Sequence, residues 1–239
     1  MLCICLISGQ APAQSSKFDT VAVTILDRMS AMMGELTSVS ATVKTNYDVP
    51  NEALGLVKHS NTHHVYIGGP DKMLIRSEGD KGNKAMYYNG KTLTHYSMDK
   101  NHYSRVKVPG TVVEMFDYMN TNYGIEFPMA DYFYPNFVDD ILKDADNLVF
   151  LGMTKVDGKE CYHIAGVTKN KTFQFWIEDD AFSLPVKLVI VYTSKPLNPQ
   201  FEATYCDWQI NPMLPAGMFD FTAPPLAQKV KMVSKTAKK

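Results

Sequence analysis

Five stretches of strand character follow one another between residues 147 and 221, separated only by tight turns. None of the breaks is long enough for a crossover helix, so neighbouring strands must pair antiparallel. The expected strands are about 148–156, 159–167, 171–178, 184–192 and 201–210. Asp157-Gly158 joins the first two and suits the positive φ of a type I′ hairpin turn. In the third, alternation places Phe173, Phe175 and Ile177 on one face and Trp176 on the other. In the fourth, Leu184, Val186, Leu188, Ile190 and Tyr192 share a face, yet Val189 and Val191 opposite them are apolar too. Strands apolar on both sides need cover on both sides. A curved sheet with helices, a ligand or both on its concave side meets that need; a sheet with one face open to water does not.

The preceding chain supplies more strands and the candidate covers. Phe18, Ala22, Ile25, Leu26, Met29, Met32, Met33 and Leu36 recur at helical spacing, which predicts a helix over 18–36 with Asp19 or Thr20 as N-cap. Residues 38–48 alternate as a first strand, and further strands are expected at about 55–67, 72–78, 84–89, 91–98 and 102–108. Asn89-Gly90 is a second hairpin signal. Residues 111–122 read as a helix, and 129–145 as a second helical segment broken near Pro135. Together they form a Met- and aromatic-rich insertion between two blocks of strands. The fold class is α+β: about eleven antiparallel strands, an N-terminal helix and a helical insertion over the sheet.

Charge is nearly balanced over the 239 residues, with 24 Lys and Arg against 25 Asp and Glu, so bulk attraction to nucleic acid is not expected. Residues 1–13 read as an export signal, a short apolar run containing Cys3 and Cys5 and ending in Ala11-Pro12-Ala13. One domain is expected over 14–226, followed by a basic tail over 227–239. The tail's five lysines and absence of acids predict a solvated terminus, with transient contact to an anionic membrane surface as the second reading. Cys161 and Cys206 each fall in a strand, where they either pair in an oxidising compartment or stay as small buried thiols.

No phosphate-binding glycine loop, nucleophile elbow or metal-ligand spacing is present, so no catalytic residue, metal or cofactor is assigned. His63 and His64 are adjacent in a strand and face opposite ways. The carboxylates Asp139, Asp140, Asp144 and Asp146 read as a solvated helix flank, and Glu178-Asp179-Asp180 as a turn. The positive signal is a concave apolar container. Its candidate lining is Phe173, Phe175 and Trp176 from the sheet, with Met115, Phe116, Met119, Tyr132 and Phe133 from the insertion. Alternation allows either the Phe173/Phe175 pair or Trp176 to face the container, not both.

Several phrases carry a resemblance: Asp157-Gly158-Lys159-Glu160-Cys161-Tyr162-His163-Ile164, Phe173-Gln174-Phe175-Trp176-Ile177, Leu184-Pro185-Val186-Lys187, and the run from Asp207-Trp208 to Phe221 ending in Pro224-Pro225. Over roughly residues 18–225 the chain resembles the periplasmic lipoprotein-carrier superfamily of LolA/LolB-like fold, and within it the DUF2092 group. The resemblance implies a periplasmic protein built as an unclosed half barrel of about eleven strands, with helices plugging its mouth. It implies a non-enzymatic binding or carrier protein for a lipid, a lipoprotein acyl chain or another apolar ligand. Relatives of this fold also serve as envelope sensors, so the second expectation is a sensor or scaffold that binds another envelope protein. Fold alone does not choose between them.

Overall fold

The apolar stripe of the first helix is its buried face. In a computed structural model describing residues 17–127 and 129–235, helix α1 (Thr20–Gly34) buries Ala22, Ile25, Leu26, Met29 and Met33. Residues 1–16, which hold the expected export signal with Cys3 and Cys5, lie outside the described residues, as do Pro128 and 236–239. The α1 N-cap is Asp19, whose carboxylate accepts from the Val21 amide at 2.8 Å. Its other oxygen accepts from the Phe150 amide at 3.3 Å, which fastens the cap to the sheet.

Six strands follow: β1 (Ser38–Asn51), β2 (Gly55–Gly68), β3 (Lys72–Gly79), β4 (Lys84–Tyr88), β5 (Thr92–Ser97) and β6 (His102–Lys107). The insertion comprises α2 (Val112–Tyr123), a 3-10 turn (Ala130–Phe133) and α3 (Phe137–Asp144). Thr111 and Glu114 form a reciprocal capping box at the start of α2. The closing block is β7 (Ala145–Val156), β8 (Lys159–Thr168), β9 (Thr172–Glu178), β10 (Pro185–Val191) and β11 (Gln200–Ile210).

With a short last strand, β12 (Gln228–Lys229), these strands form one sheet in the order β12-β6-β5-β4-β3-β2-β1-β11-β10-β9-β8-β7. Two meanders meet at the β1–β11 pair, in register at Val43 with Tyr205 and Tyr47 with Phe201. The twelfth strand, β12, pairs parallel with β6. It falls in the segment expected to be a solvated tail. Two polar residues carry no alternation to read, but their backbone is held: the Gln228 amide donates to Asn101 O at 3.0 Å and the Val230 amide to Tyr103 O at 2.8 Å. β7 also begins earlier than the expected residue 148, because Ala145 leaves α3 in extended conformation and is fully buried. Cys161 and Cys206 are both free thiols.

Antiparallel partners share a face, so the register sorts the side chains. Val43, Val65, Ile75 and Leu93 face the concave side with Ile164, Phe175 and Tyr205, and all join one buried core with α1 and the insertion. On the convex side, Leu74 is fully buried as well. Its cover comes from the chain after β11. Asn211 turns it, accepting on its side-chain oxygen from the Thr37 and Ser38 amides at 2.9 and 3.2 Å. The strap then runs a 3-10 turn (Ala216–Phe219) against β3 and sets Phe221 among Tyr87, Tyr96 and Tyr103, with ring centroids 5.3, 5.4 and 5.2 Å away. Arg105 donates to Phe221 O at 3.1 Å. Each aromatic pair contributes about 0.5–1.5 kcal/mol beyond area burial. Phe221→Ala is therefore expected to lower unfolding stability by about 2 kcal/mol, read from the denaturant midpoint. An unchanged midpoint would show that the strap contributes nothing.

Candidate functional site

Between the concave face and the insertion lies a cleft of about 870 Å³. Its sheet wall is Phe173 and Phe175 of β9, Leu188 and Ile190 of β10, and Phe201 and Ala203 of β11. These six follow from one register, in which Phe175 faces Leu188 and Leu188 faces Ala203, while Phe173 faces Ile190 and Ile190 faces Phe201. Phe173 lies across Gly166 of β8, where a Cβ would collide with its ring. The opposite wall is Phe116, Phe127, Tyr132, Phe137 and Ile141 from the insertion.

Edge-to-face aromatic contacts tie the two walls together. Phe137 meets Phe175 at 6.0 Å and 77°, Tyr132 meets Phe137 at 5.6 Å and 64°, and Tyr132 meets Tyr205 at 5.5 Å and 72°. The Tyr132 hydroxyl donates to the Tyr205 hydroxyl at 3.3 Å. Burial pushes both phenols well above their ordinary range, so both are neutral.

The lining also carries polar groups. His63 reaches Thr45 Oγ1 through Nε2 at 3.1 Å and Ser77 Oγ through Nδ1 at 2.7 Å. Burial, then the charges of Lys84 and His64, holds the imidazole down to about 4, so it is neutral at pH 7. His64 points the other way and meets Thr42 at 3.4 Å. The lining also includes Asp48 and the exposed Glu126, Asp131, Asp140 and Asp144, with Lys171 as the cation among them. A hydrogen bond from Lys58 holds the Asp48 carboxyl below its usual range, and the two form an ion pair at 2.8 Å. Asp131 is exposed at its surface; the protein packed around it pushes its carboxyl up, Lys171 pulls it back and Glu126 pushes it further up.

Of the residues expected to line a container, Phe116, Tyr132, Phe173 and Phe175 do line the cleft. Met115 and Met119 are fully buried in the core instead. Phe133 is half-buried and packs against that core outside the cleft lining. Trp176 is on the convex face, as the alternation argument required of one of the two sets. There it stacks on His163 at 4.3 Å and 14°, with the Lys187 ammonium 5.5 Å from its ring centroid. That long-side-chain layer half-covers the second apolar face of the closing block, where the sequence called for a cover. Leu188, Ile190 and Phe201 were missed as lining, although their register with β9 is the signal that finds them. Asp140 and Asp144 are exposed, as expected of a solvated flank, and also edge the cleft with Ile141, because residues three and four apart share a helix face.

The arrangement can hold an elongated apolar group along an aromatic wall. Among the described residues, no three His, Cys, Asp or Glu side chains gather as metal ligands, and no helix is long and apolar enough to cross a membrane.

Comparison with known proteins addresses the fold. None of the curated proteins matches the sequence. Lipoprotein LppX of Mycobacterium tuberculosis is similar in structure, with TM-score 0.52 at 16% identity over 83% of this chain and 99% of that one. An uncharacterized conserved protein of Thermus thermophilus is similar at TM-score 0.49 and 14% identity, over 89% of this chain and 99% of that one. A LolA superfamily protein of Nitrosomonas europaea gives 0.40 and 11%, over 84% and 97%. At such identities the LppX likeness shows the fold alone. By sequence, the profile of DUF2092, described as predicted periplasmic protein, matches residues 22–233. The half barrel with its helical insertion is thus that of a periplasmic protein, and the chain belongs to the DUF2092 family.

Proposed function

We propose that this protein binds and carries an apolar ligand, a lipid or a lipoprotein acyl chain, in the periplasm without transforming it. The observation that supports this reading is the cleft of about 870 Å³ walled by Phe173, Phe175, Leu188, Ile190 and Phe201. Ligand sites typically span roughly 300–1,000 Å³ and are mostly apolar with a few polar groups. Each methylene buried from water contributes about 0.8 kcal/mol, so part of an acyl chain suffices for useful affinity. The aromatic lid can part from the sheet along the Tyr132–Tyr205 and Phe137–Phe175 contacts to admit a chain.

The test is native mass spectrometry of protein purified from its envelope, together with uptake of an apolar fluorescent dye. Bound lipid and dye uptake are expected. Ala203→Trp, which fills the wall between Leu188 and Tyr205, is expected to weaken dye binding at least about tenfold while the protein stays folded. Absence of both lipid and dye uptake would sink the carrier reading and leave the cleft as part of the core, as in a sensor or scaffold that binds an envelope protein.

A further inference from the structure

We infer that the chain beyond the strap, residues 228–235, is a latch on the lid: seated at the end of α2, it holds the insertion over the cleft and sets the rate at which an apolar ligand enters and leaves. This rests on the reading that the cleft holds such a ligand, and adds what controls its passage.

After covering the convex face with Phe219 and Phe221, the chain turns along the β6 edge of the sheet as β12. Asn101 Nδ2 donates to Pro225 O at 3.1 Å at this bend. Beyond the edge the chain comes to the concave side, where Met232 is half-buried and packs against the core shared by α1 and the insertion. Lys235 then lies against Gly124, so closely that a Cβ there would stand 2.6 Å from Lys235 Cε and 3.6 Å from its Nζ. The sheet edge is thereby tied to the lid.

The two ends of α2 are held differently. Its N-terminus is fixed by the capping box of Thr111 and Glu114, and by the Val112 amide, which donates to Pro70 O at 2.7 Å. Its last turn closes on itself: the Gly124 amide returns to Asn120 O at 2.9 Å and the Ile125 amide to Met119 O at 3.3 Å. Gly124 sits at φ +69°, the left-handed conformation that ends many helices. No basic residue stands in that last turn, so the negative end of the helix dipole has no cation from α2 itself. Lys235 brings one from the far end of the chain, with its aliphatic stem packed on the glycine.

Gly124 is also where the lid leaves α2. The residues just after it, Ile125, Glu126, Phe127 and Met129, line the cleft, and the 3-10 turn that carries Tyr132 follows. Lifting Tyr132 away from Tyr205 bends the chain within this link, next to the glycine that Lys235 covers. Met232 and Lys235 lie outside the cleft lining, so they meet the lid and not the ligand. A contact present in both the empty and the filled closed state, and broken on opening, slows entry and exit alike and leaves affinity unchanged.

The experiment measures stopped-flow association and dissociation of the apolar dye N-phenyl-1-naphthylamine, with amide exchange as a readout that needs no ligand. Ending the chain at Ala227 is expected to raise both rate constants at least about tenfold, with Kd kept within about threefold. Lys235→Glu is expected to raise both about fivefold, the scale of a charge at a helix end. Lys235→Arg should keep the parent rates. So should Lys231→Glu, the same charge change at an exposed residue ahead of the contact. Exchange of the Gly124 and Ile125 amides is expected to quicken about fivefold in Lys235→Glu while that of β1 amides stays unchanged. Parent rates in both the shortened chain and Lys235→Glu would overturn the latch and leave the carrier reading standing. A weaker Kd with unchanged association would overturn it too, by making the tail part of the binding wall. Lys231→Glu acting as strongly as Lys235→Glu would overturn the seat at Gly124 in favour of overall charge. Should the shortened chain not fold, Lys235→Glu, made at an exposed side chain, decides alone. Absence of dye uptake by the parent would overturn the carrier reading and the gate with it, whatever the amide exchange.

Discussion

Tyr132→Ala is expected to lower unfolding stability by about 3–5 kcal/mol, the range for truncating a large buried aromatic. Tyr132 is 3% exposed and sits in the 3-10 turn between α2 and α3, so its ring is the point where the middle of the insertion meets the sheet. Truncation removes two edge-to-face contacts, to Phe137 and Tyr205, and leaves the Tyr205 hydroxyl buried without the partner seen here. Tyr132→Phe separates these contributions. It keeps the ring and loses only the hydroxyl, whose 3.3 Å bond is long, so about 1 kcal/mol is expected. Denaturant midpoints of the two variants test the ranking. Equal losses would mean that the hydroxyl pair, not the ring, anchors the lid.

Acidification is expected to remove about 3 kcal/mol of stability between pH 6.5 and pH 4 through His63 alone. The sign follows from the shift. In the folded protein the imidazole sits at about 4, below the ordinary 6.5 of the unfolded chain, so the unfolded state takes up the proton first. The contribution is complete above pH 6.5 and lost as pH falls through the window to 4. Burial is the main cause, reinforced by Lys84 and His64, and a charged ring would have to be accommodated beside Thr45 and Ser77. His95 is pushed down for the same first reason and adds in the same direction, whereas Asp131, pushed up, opposes it. The His63 share is isolated by His63→Gln, which should flatten the pH dependence of the midpoint over that window. A variant as acid-sensitive as the parent would refute the assignment.

How the sequence encodes this protein differs between its layers. Period-two alternation located β1 to β11 within a few residues, because every one of those strands has a buried face to specify. β12 was illegible, since Gln228 and Lys229 are held by backbone groups alone. Container residues split along the same line. Alternation separated Phe173 and Phe175 from Trp176 but could not say which face was concave. That choice depends on where the insertion lies, a long-range property. In the insertion, helical spacing put Met115, Phe116 and Met119 on one apolar stripe, and only packing distinguishes the part of the stripe that meets the sheet from the part that meets the cleft. The acidic edge was hidden for a further reason. Asp140 and Asp144 are an exposed helix flank, and only the placement of α3 over the concave face brings them to the edge of the cleft.

The strand order places β6 and β7 at opposite ends of the sheet, apart from the two-residue β12, and the insertion is the chain that joins them. It therefore acts as a strut across the open side of the barrel as well as a lid. Its span limits how far the two free edges can spread, and so how far the sheet can flatten. On the proposed reading of the cleft as a carrier site, a ligand that widens the gap must lengthen or lift that strut, and its release lets the strut settle back. The curvature of the sheet and the occupancy of the cleft are thereby linked through a single stretch of backbone.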